Sequence, residues 1–529
     1  MSITSLVFVI FVAIAGVVYY LVPKKMQWIV LLVASLFFYA ISSTILTLFM
    51  IASTLLIYLG ALKIQGLNDE FKAKKADLEK SERKQLKASI KKKQKAVLTA
   101  IVVLNIAILA VLKYGNFFGG MANSVIGLFT HKDVIPTFSF ILPLGISYYT
   151  LMAISYIVDV YRGTVKAEKN PCRVLLFVSY FPHIIEGPFD RYSALDKQFR
   201  EPHYIDYDVV KNGALLMLFG LFKKLVIADR IGLIASGVFE KPDEFSGTAV
   251  IIAIISYTIQ LYCDFSGCID IVAGVSEMFD IKLAENFRQP FFARSINEFW
   301  RRWHITLGLW LKEYVFYPVS LSGSFKKVNT FAKKHIKNEY FVQMIPAAYA
   351  LFFVWFCNGI WHGSSVKYIF YGLYYYLLMM LGEFTKPITD KLCTKLKINR
   401  ETKPYHLFQM VRTFIIVNAG MLIFRSATIS ESTNLFLQMF KSVGFTDLLQ
   451  REAIPHISFR DYPVILIGIA VVFIIGLLKE KGHNIREELA QKPLILRWVL
   501  YLLLIFSILI VGMYGNNAGG EAAAIYAQF

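Results

Sequence analysis

Apolar side chains gather in runs separated by stretches rich in lysine and arginine. The runs fall at Ile3–Val22, Trp28–Ile41, Ile45–Leu62, Val97–Lys113, Ile135–Val160, Gly213–Ile231, Thr248–Cys263, Gln343–Trp361, Val366–Phe384, Phe408–Phe424, Pro463–Leu478 and Ile495–Met513. Most approach the roughly 17 to 25 residues that a helix needs to cross a bilayer. The pattern predicts an all-α polytopic membrane protein with about 11 to 12 transmembrane helices. The first run is followed by no small-residue cleavage pattern and is expected to stay as a span.

The polar stretches between the runs set the expected orientation. Pro23-Lys24-Lys25, Lys63–Lys95, Tyr161–Asn212, Lys282–Lys337, Lys386–Lys403 and Lys479–Lys492 all land on one side when spans alternate. By the positive-inside rule that side is the cytoplasm, and both termini are then expected outside a bacterial cytoplasmic membrane. Residues 63–96 combine good helix formers with mixed charge and read as a cytoplasmic helical hairpin inserted between two spans.

Composition agrees with this reading and removes other classes. Of 529 residues, 56% are apolar, too much for the core of one soluble domain. The formal charge of +19 sits mainly in the loops, where it meets anionic lipid rather than nucleic acid. The five cysteines have no ligand-like spacing, so neither a zinc site nor a disulfide framework is expected. There is no GxSxG elbow, no P-loop and no GxGxxG, which removes nucleotide hydrolysis and Rossmann redox chemistry. No internal repeat of the kind that builds many transporters is visible.

Two places break the pattern. RVLLFVSYFPHIIEGPFDRY holds an apolar run too short to span, interrupted by Pro182, Gly187 and Pro188, while Leu142-Pro143-Leu144-Gly145 interrupts the fifth run. Re-entrant segments around a protein-enclosed cavity explain such breaks, and so do simple proline kinks. Glu186 and Asp190 in this region belong either to a site at a re-entrant tip or to a solvated loop.

Three groups of residues are candidates for chemistry. In FVWFCNGIWHGSS, His362 closes an apolar run beside Trp361, with Asn358 one helical turn earlier. A neutral imidazole there can take a proton from a hydroxyl and return it to a leaving group, and the alternative is a helix-end histidine bonded to a carbonyl. In INEFWRRWHITLGLWLKEYVFYPVSLSG, Phe299, Trp303, Leu307, Trp310 and Leu311 fall at helical spacing, as expected of an interfacial or partly buried helix. Here His304 either faces the same cavity as His362 or packs at the interface. Arg301 and Arg302 either hold a phosphate-bearing donor or anchor to lipid phosphates. In QLYCDFSGCID, Asp264 and Ser266 stand near an expected span end, where Asp264 is either a helix N-cap or an orienting partner for a histidine or arginine.

These stretches together resemble the membrane-bound O-acyltransferase family, in particular its branch of alginate O-acetylation membrane proteins. The resemblance runs in order through PLGISYYTLMAISYIVDVYRG, FPHIIEGPFDRY, LYCDFSG, ENFRQPFFARSINEFWRRWHITLGLWLKEYVFYP, NGIWHG and the terminal IYAQF. It departs from the usual pattern at Met152, Glu186, Phe189 and Cys268. The resemblance implies one membrane-embedded domain over residues 1–529, with a catalytic core segment at 135–385 and spanning, re-entrant and interfacial helices around a central tunnel. It implies that His362 is catalytic and His304 is the second essential position, with Asn358, Trp361 and Trp303 as supports. It further implies acyl transfer, with acetyl the expected group. Acetyl-CoA or another thioester is the cytoplasmic donor substrate, no cofactor or metal is bound, and an extracytoplasmic acetyltransferase partner passes the group to a cell-surface or secreted polysaccharide. D-alanyl transfer to teichoic acid is the related alternative, and a polysaccharide or lipid transporter without acyl-transfer chemistry is the alternative from another class.

Overall fold

A computed structural model describes residues 1–42, 47–130, 134–138, 145–184, 186–442, 444 and 457–514. The described residues are almost entirely helix and connecting turn, and the nearest approach to a sheet is a single antiparallel bridge between Phe287 and Trp303. The expected break at Leu142-Pro143-Leu144, the terminal IYAQF and hence the side of the C-terminus lie outside the described residues.

Each of the twelve apolar runs carries a helix, although residues 135–138 at the start of the fifth are non-helical. Among the described residues eight helices are long and apolar enough to cross a membrane: Lys24–Ile41, Thr47–Lys74, Lys80–Phe129, Gly247–Met278, Glu339–His362, Lys403–Arg425, Asp461–Glu480 and Leu494–Val511. The other four runs lie on helices of different character. Leu6–Leu21 and Ile146–Arg162 are shorter, with 16 and 17 residues. The run from Gly213 passes through a π-helical stretch, Phe222–Ala228, that carries Lys223 and Lys224. Val366–Lys395 is long but rich in tyrosine and holds Lys367 and Glu383.

The chain divides into two compact units. The first comprises residues 1–211 and 275–283. Its basic insertion continues two helices, Thr47–Lys74 and Lys80–Thr130, the second of which is 51 residues long. At 1.5 Å per residue that helix extends about 77 Å, far beyond the roughly 30 Å hydrocarbon layer. The pair is joined by buried polar contacts: Ser53 donates to Asn105 Oδ1 at 2.5 Å, and Gln94 donates to Asn68 Oδ1 at 2.7 Å. At Ser53 and Asn105, where apolar packing between helices competes with equally apolar lipid, such a bond helps hold the pair in register.

The broken segment of this unit forms a nine-residue helix, Pro171–Ser179, and residues 180–184 and 186–191 before the helix Tyr192–Arg200 are non-helical. Nine residues reach about 14 Å, too little to span. The solvated-loop reading of Glu186 and Asp190 fails, because they are 2% and 5% exposed, and His183 beside them is fully buried. Burial pushes His183 down to about 3, so it is neutral, and its Nε2 lies 3.1 Å from the carbonyl of Phe177.

The second unit comprises residues 212–274 and 284–529. Its core gathers aromatic and aliphatic side chains from Gly247–Met278, the short helix Ile296–Arg302, Glu339–His362, Val366–Lys395 and Lys403–Arg425. Glu339–His362 and Val366–Lys395 form an antiparallel pair whose backbones come very close. A Cβ on Gly359 would meet the carbonyl oxygen of Tyr368 at 2.5 Å, and one on Gly372 would collide with that of Trp355. Only residues without a side chain allow this approach. It brings His362 against Tyr371, with the ring centroids 5.6 Å apart.

Candidate functional site

Two short helices in the second unit turn sharply about His304. Ile296–Arg302 is capped at its start by Ser295, whose hydroxyl accepts from the backbone N–H of Glu298. It ends where Trp303 becomes extended and pairs with Phe287. His304 then adopts φ 47°, a left-handed conformation uncommon for a side chain of its size, and Ile305–Leu311 begins immediately after it. Two backbone bonds hold the corner, Arg288 N–H to Arg302 O at 2.9 Å and Ile305 N–H to Asn286 O at 3.0 Å. The single amphipathic helix expected across this stretch is therefore a helix, a corner and a second helix.

The corner faces the helix Glu339–His362. Leu351, Trp355, Asn358 and His362 recur at spacings of four, three and four, so they share one helical face, and all four line a cavity of about 620 Å³. His304, Trp303 and Arg301 line it from the other side. Both histidines are almost fully buried, at 3% for His304 and 2% for His362. Trp361 lies between them, its ring 5.6 Å from that of His304 and 5.0 Å from that of His362. Phe265 packs edge-on against His304 at 4.8 Å, and Phe424 against His362 at 5.3 Å. Burial holds His304 well below the usual histidine range, and the neighbouring His362 pushes it the same way. A neutral imidazole in a largely apolar cavity is equipped to exchange protons with a hydroxyl or thiol.

The cavity therefore brings together His362, His304, Asn358, Trp303 and Arg301, with Trp361 packed against both imidazoles. It does not include the remaining candidates. Arg302 is tied to Glu298 and Glu480, each at 2.7 Å, and is not among the lining residues. Asp264 is no N-cap, because it sits well inside the helix Gly247–Met278. Its carboxylate meets Lys224 Nζ at 2.5 Å, and Ser266 Oγ accepts from Lys223 Nζ at 2.9 Å. Lys223 and Lys224 are also paired with Asp270 and Asp229, each at 2.8 Å. Asp264 and Ser266 serve a buried ionic cluster and do not line the cavity, since two ammonium groups at 4% and 2% exposure require partners.

Sequence reasoning passed over those lysines, although two adjacent cations inside an apolar run are a visible signal of buried charge. It also passed over Asn286, which is 1% exposed and lies against His304. A lone asparagine among the charged and aromatic residues of ENFRQPFF carries no signal of its own. Among the described residues no group of histidine, cysteine and acidic side chains is arranged to hold a metal ion.

Residues 169–333 match the model of MBOAT, the membrane-bound O-acyltransferase family. The chain is 34% identical over 343 residues to a probable alginate O-acetylase of Pseudomonas syringae pv. tomato, covering 64% of this chain and 59% of that protein. The matched stretch thus spans about three fifths of that relative's length. A peptidoglycan O-acetyltransferase of Helicobacter pylori is 28% identical over 501 residues, covering 88% and 84%. A teichoic acid D-alanyltransferase of Bacillus subtilis is 30% identical over 293 residues, covering 55% and 70%.

Proposed function

The chain belongs to the membrane-bound O-acyltransferase family, and from that premise we propose that it transfers an acetyl group from a thioester to a hydroxyl for O-acetylation of an extracellular glycan. One observation carries the reading. Two buried histidines, 58 positions apart in the chain, line a single cavity that is otherwise mainly apolar.

In the proposed reaction His362 takes the proton of the acceptor hydroxyl as the oxygen attacks the thioester carbonyl carbon. The tetrahedral intermediate then expels the sulfur, the C–S bond breaks, and the thiolate recovers the proton from the imidazolium. An ester and a free thiol result. His304 orients the hydroxyl or assists its proton transfer, and Asn358, Trp303 and Trp361 shape the cavity. General-base assistance contributes about 10² to 10⁴ in rate, and positioning within a dry cavity adds more.

Acetyl-CoA is the proposed donor, entering from the cytoplasm, where Arg301 and Lys312 at the cavity provide positive charge for its phosphates. The N-terminal end of Glu339–His362 follows the basic stretch Lys282–Lys337, which supports placing that end at the cytoplasm of a bacterial membrane and His362 toward the outside. The acceptor hydroxyl belongs to the glycan or to an extracytoplasmic acetyltransferase partner that relays the group. The names of the Pseudomonas and Helicobacter relatives support acetyl as the group transferred. D-alanyl transfer is the second reading, supported by the alignment that covers 70% of the Bacillus protein.

The test is reconstitution of the full chain in liposomes with labelled acetyl-CoA and a glycan acceptor. Label on acceptor hydroxyls, absent with His362→Ala, supports the reading. Glycan movement across the bilayer without label, or label from a D-alanyl thioester only, overturns it.

A further inference from the structure

We propose that Asn286 is a positioning residue that fixes His304 in the tautomer with its proton on Nδ1, making Nε2 the basic nitrogen. The proposal deepens the acyl-transfer reading and rests on it.

Two donors and an imidazole nitrogen converge on one atom. Asn286 Oδ1 lies 3.1 Å from the backbone N of Thr306, 2.8 Å from Thr306 Oγ1 and 3.1 Å from His304 Nδ1. The Thr306 N–H is an obligate donor, so the amide atom facing it is the oxygen. A flipped amide would set its NH₂ against that N–H. An oxygen already receiving these donors is met favourably only by a protonated Nδ1. A neutral imidazole has one proton, so Nε2 holds the lone pair.

The same residue is fixed through its backbone, since its carbonyl accepts from Ile305 N–H at 3.0 Å. The other end of its amide, Nδ2, is buried with no hydrogen-bond partner among the described residues. Asn286 is therefore held by its oxygen, and that oxygen serves the turn that carries His304.

The assignment narrows what His304 can do. With the proton on Nδ1, the neutral ring accepts at Nε2 and cannot donate there. It can orient a hydroxyl or receive its proton, whereas stabilising a carbonyl oxygen that develops negative charge would need a donor at Nε2. An amide in place of a carboxylate supplies the same acceptor without a charge that would favour the imidazolium. Among the described residues, the titratable groups that face His304 include His362 on the facing helix and Arg301 and Lys312 along the cavity. Phe265 and Trp361, the rings packed on it, carry no charge, and Asp264 beside Phe265 is committed to Lys224.

The first test reads the wild-type protein without its activity. Nitrogen-15 solid-state NMR in liposomes, with His304→Gln to assign the resonance, is expected to show His304 protonated at Nδ1 and bare at Nε2. The opposite pattern overturns the proposal. The second test uses acetyl transfer. Asn286→Leu, which removes the acceptor, lowers kcat about 10- to 100-fold with KM within about twofold. Asn286→Asp retains activity at high pH but shifts the acid limb of the pH–rate profile upward, because the carboxylate stabilises the imidazolium. A merely structural role would reduce the folded amount and leave that limb in place. An unmoved limb in folded Asn286→Asp, or wild-type kcat in Asn286→Leu, overturns the proposal. If NMR gives the expected tautomer while the wild type transfers no acyl group, the functional reading fails and the Asn286–His304 relationship stands.

Discussion

Lys224 Nζ lies 2.5 Å from Asp264 Oδ1, and the two side chains are 3% and 1% exposed. Asp229 meets the same ammonium at 2.8 Å. Removing one member of such a group leaves buried charge without compensation, which costs about 3 to 5 kcal/mol. Lys224→Met and Asp264→Leu should each lower the thermal unfolding midpoint in detergent. The double variant should lose less than the two singles together, the signature of direct coupling. Strict additivity would show that the pair does not interact.

Replacement of His362 by alanine should reduce acyl transfer by at least about 10²-fold, in keeping with loss of a general base. Because the ring faces a cavity, the variant should insert and purify like the wild type. Turnover within a few-fold of wild type would remove His362 from the chemistry.

The pH profile should reflect the environment of His304. Burial and His362 lower its proton affinity, and in the proposed mechanism the neutral ring is the active form. Activity dependent on that ring should therefore persist on acidification below the ordinary histidine value of 6.5 and fall only as His304 protonates. Initial rates measured from pH 8 downward check this, and an acid limb centred above 6.5 would contradict it.

Arg301 and Arg302 are neighbours in sequence with different surroundings. Arg301 lines the cavity, whereas Arg302 is bound to Glu298 and Glu480. Arg301→Gln should raise KM for acetyl-CoA about tenfold with little change in kcat, since it removes charge that meets the bound donor throughout. Arg302→Gln should leave KM unchanged. Equal KM values for the two variants would mean that the donor does not reach Arg301.

The close pairing of Glu339–His362 with Val366–Lys395 should be sensitive to a single methyl group. Gly372→Ala would press its Cβ into the carbonyl of Trp355 and force the helices apart. A loss of about 1 to 3 kcal/mol is expected, the usual range for overpacking. Activity should fall as well, because Trp355 and His362 line the cavity from the displaced helix. Unfolding midpoints and turnover on the same preparation measure both.

The sequence by itself determined the helical membrane architecture, because a run of apolar residues must satisfy its backbone polar groups internally and a helix does so with local hydrogen bonds. Each of the twelve runs carries a helix, and the helices Thr47–Lys74 and Lys80–Thr130 run on into the basic insertion. The sequence also marked both histidines, since FWRRWH and NGIWHG are recognisable as linear patterns. The tertiary structure decided what each candidate touches. Lys224 and Asp264 are 40 positions apart, His304 and Asn286 18, and no helical or strand periodicity connects partners at such separations. Burial makes these pairings necessary, because a charge or amide removed from water needs a partner, while packing alone selects which residue supplies it. Asp264, within LYCDFSG, read as a helix N-cap or as an orienting partner for a histidine or arginine, and the fold gave it to a lysine. Asn286 carried no signal in sequence, and the corner at His304 brought its oxygen to the imidazole.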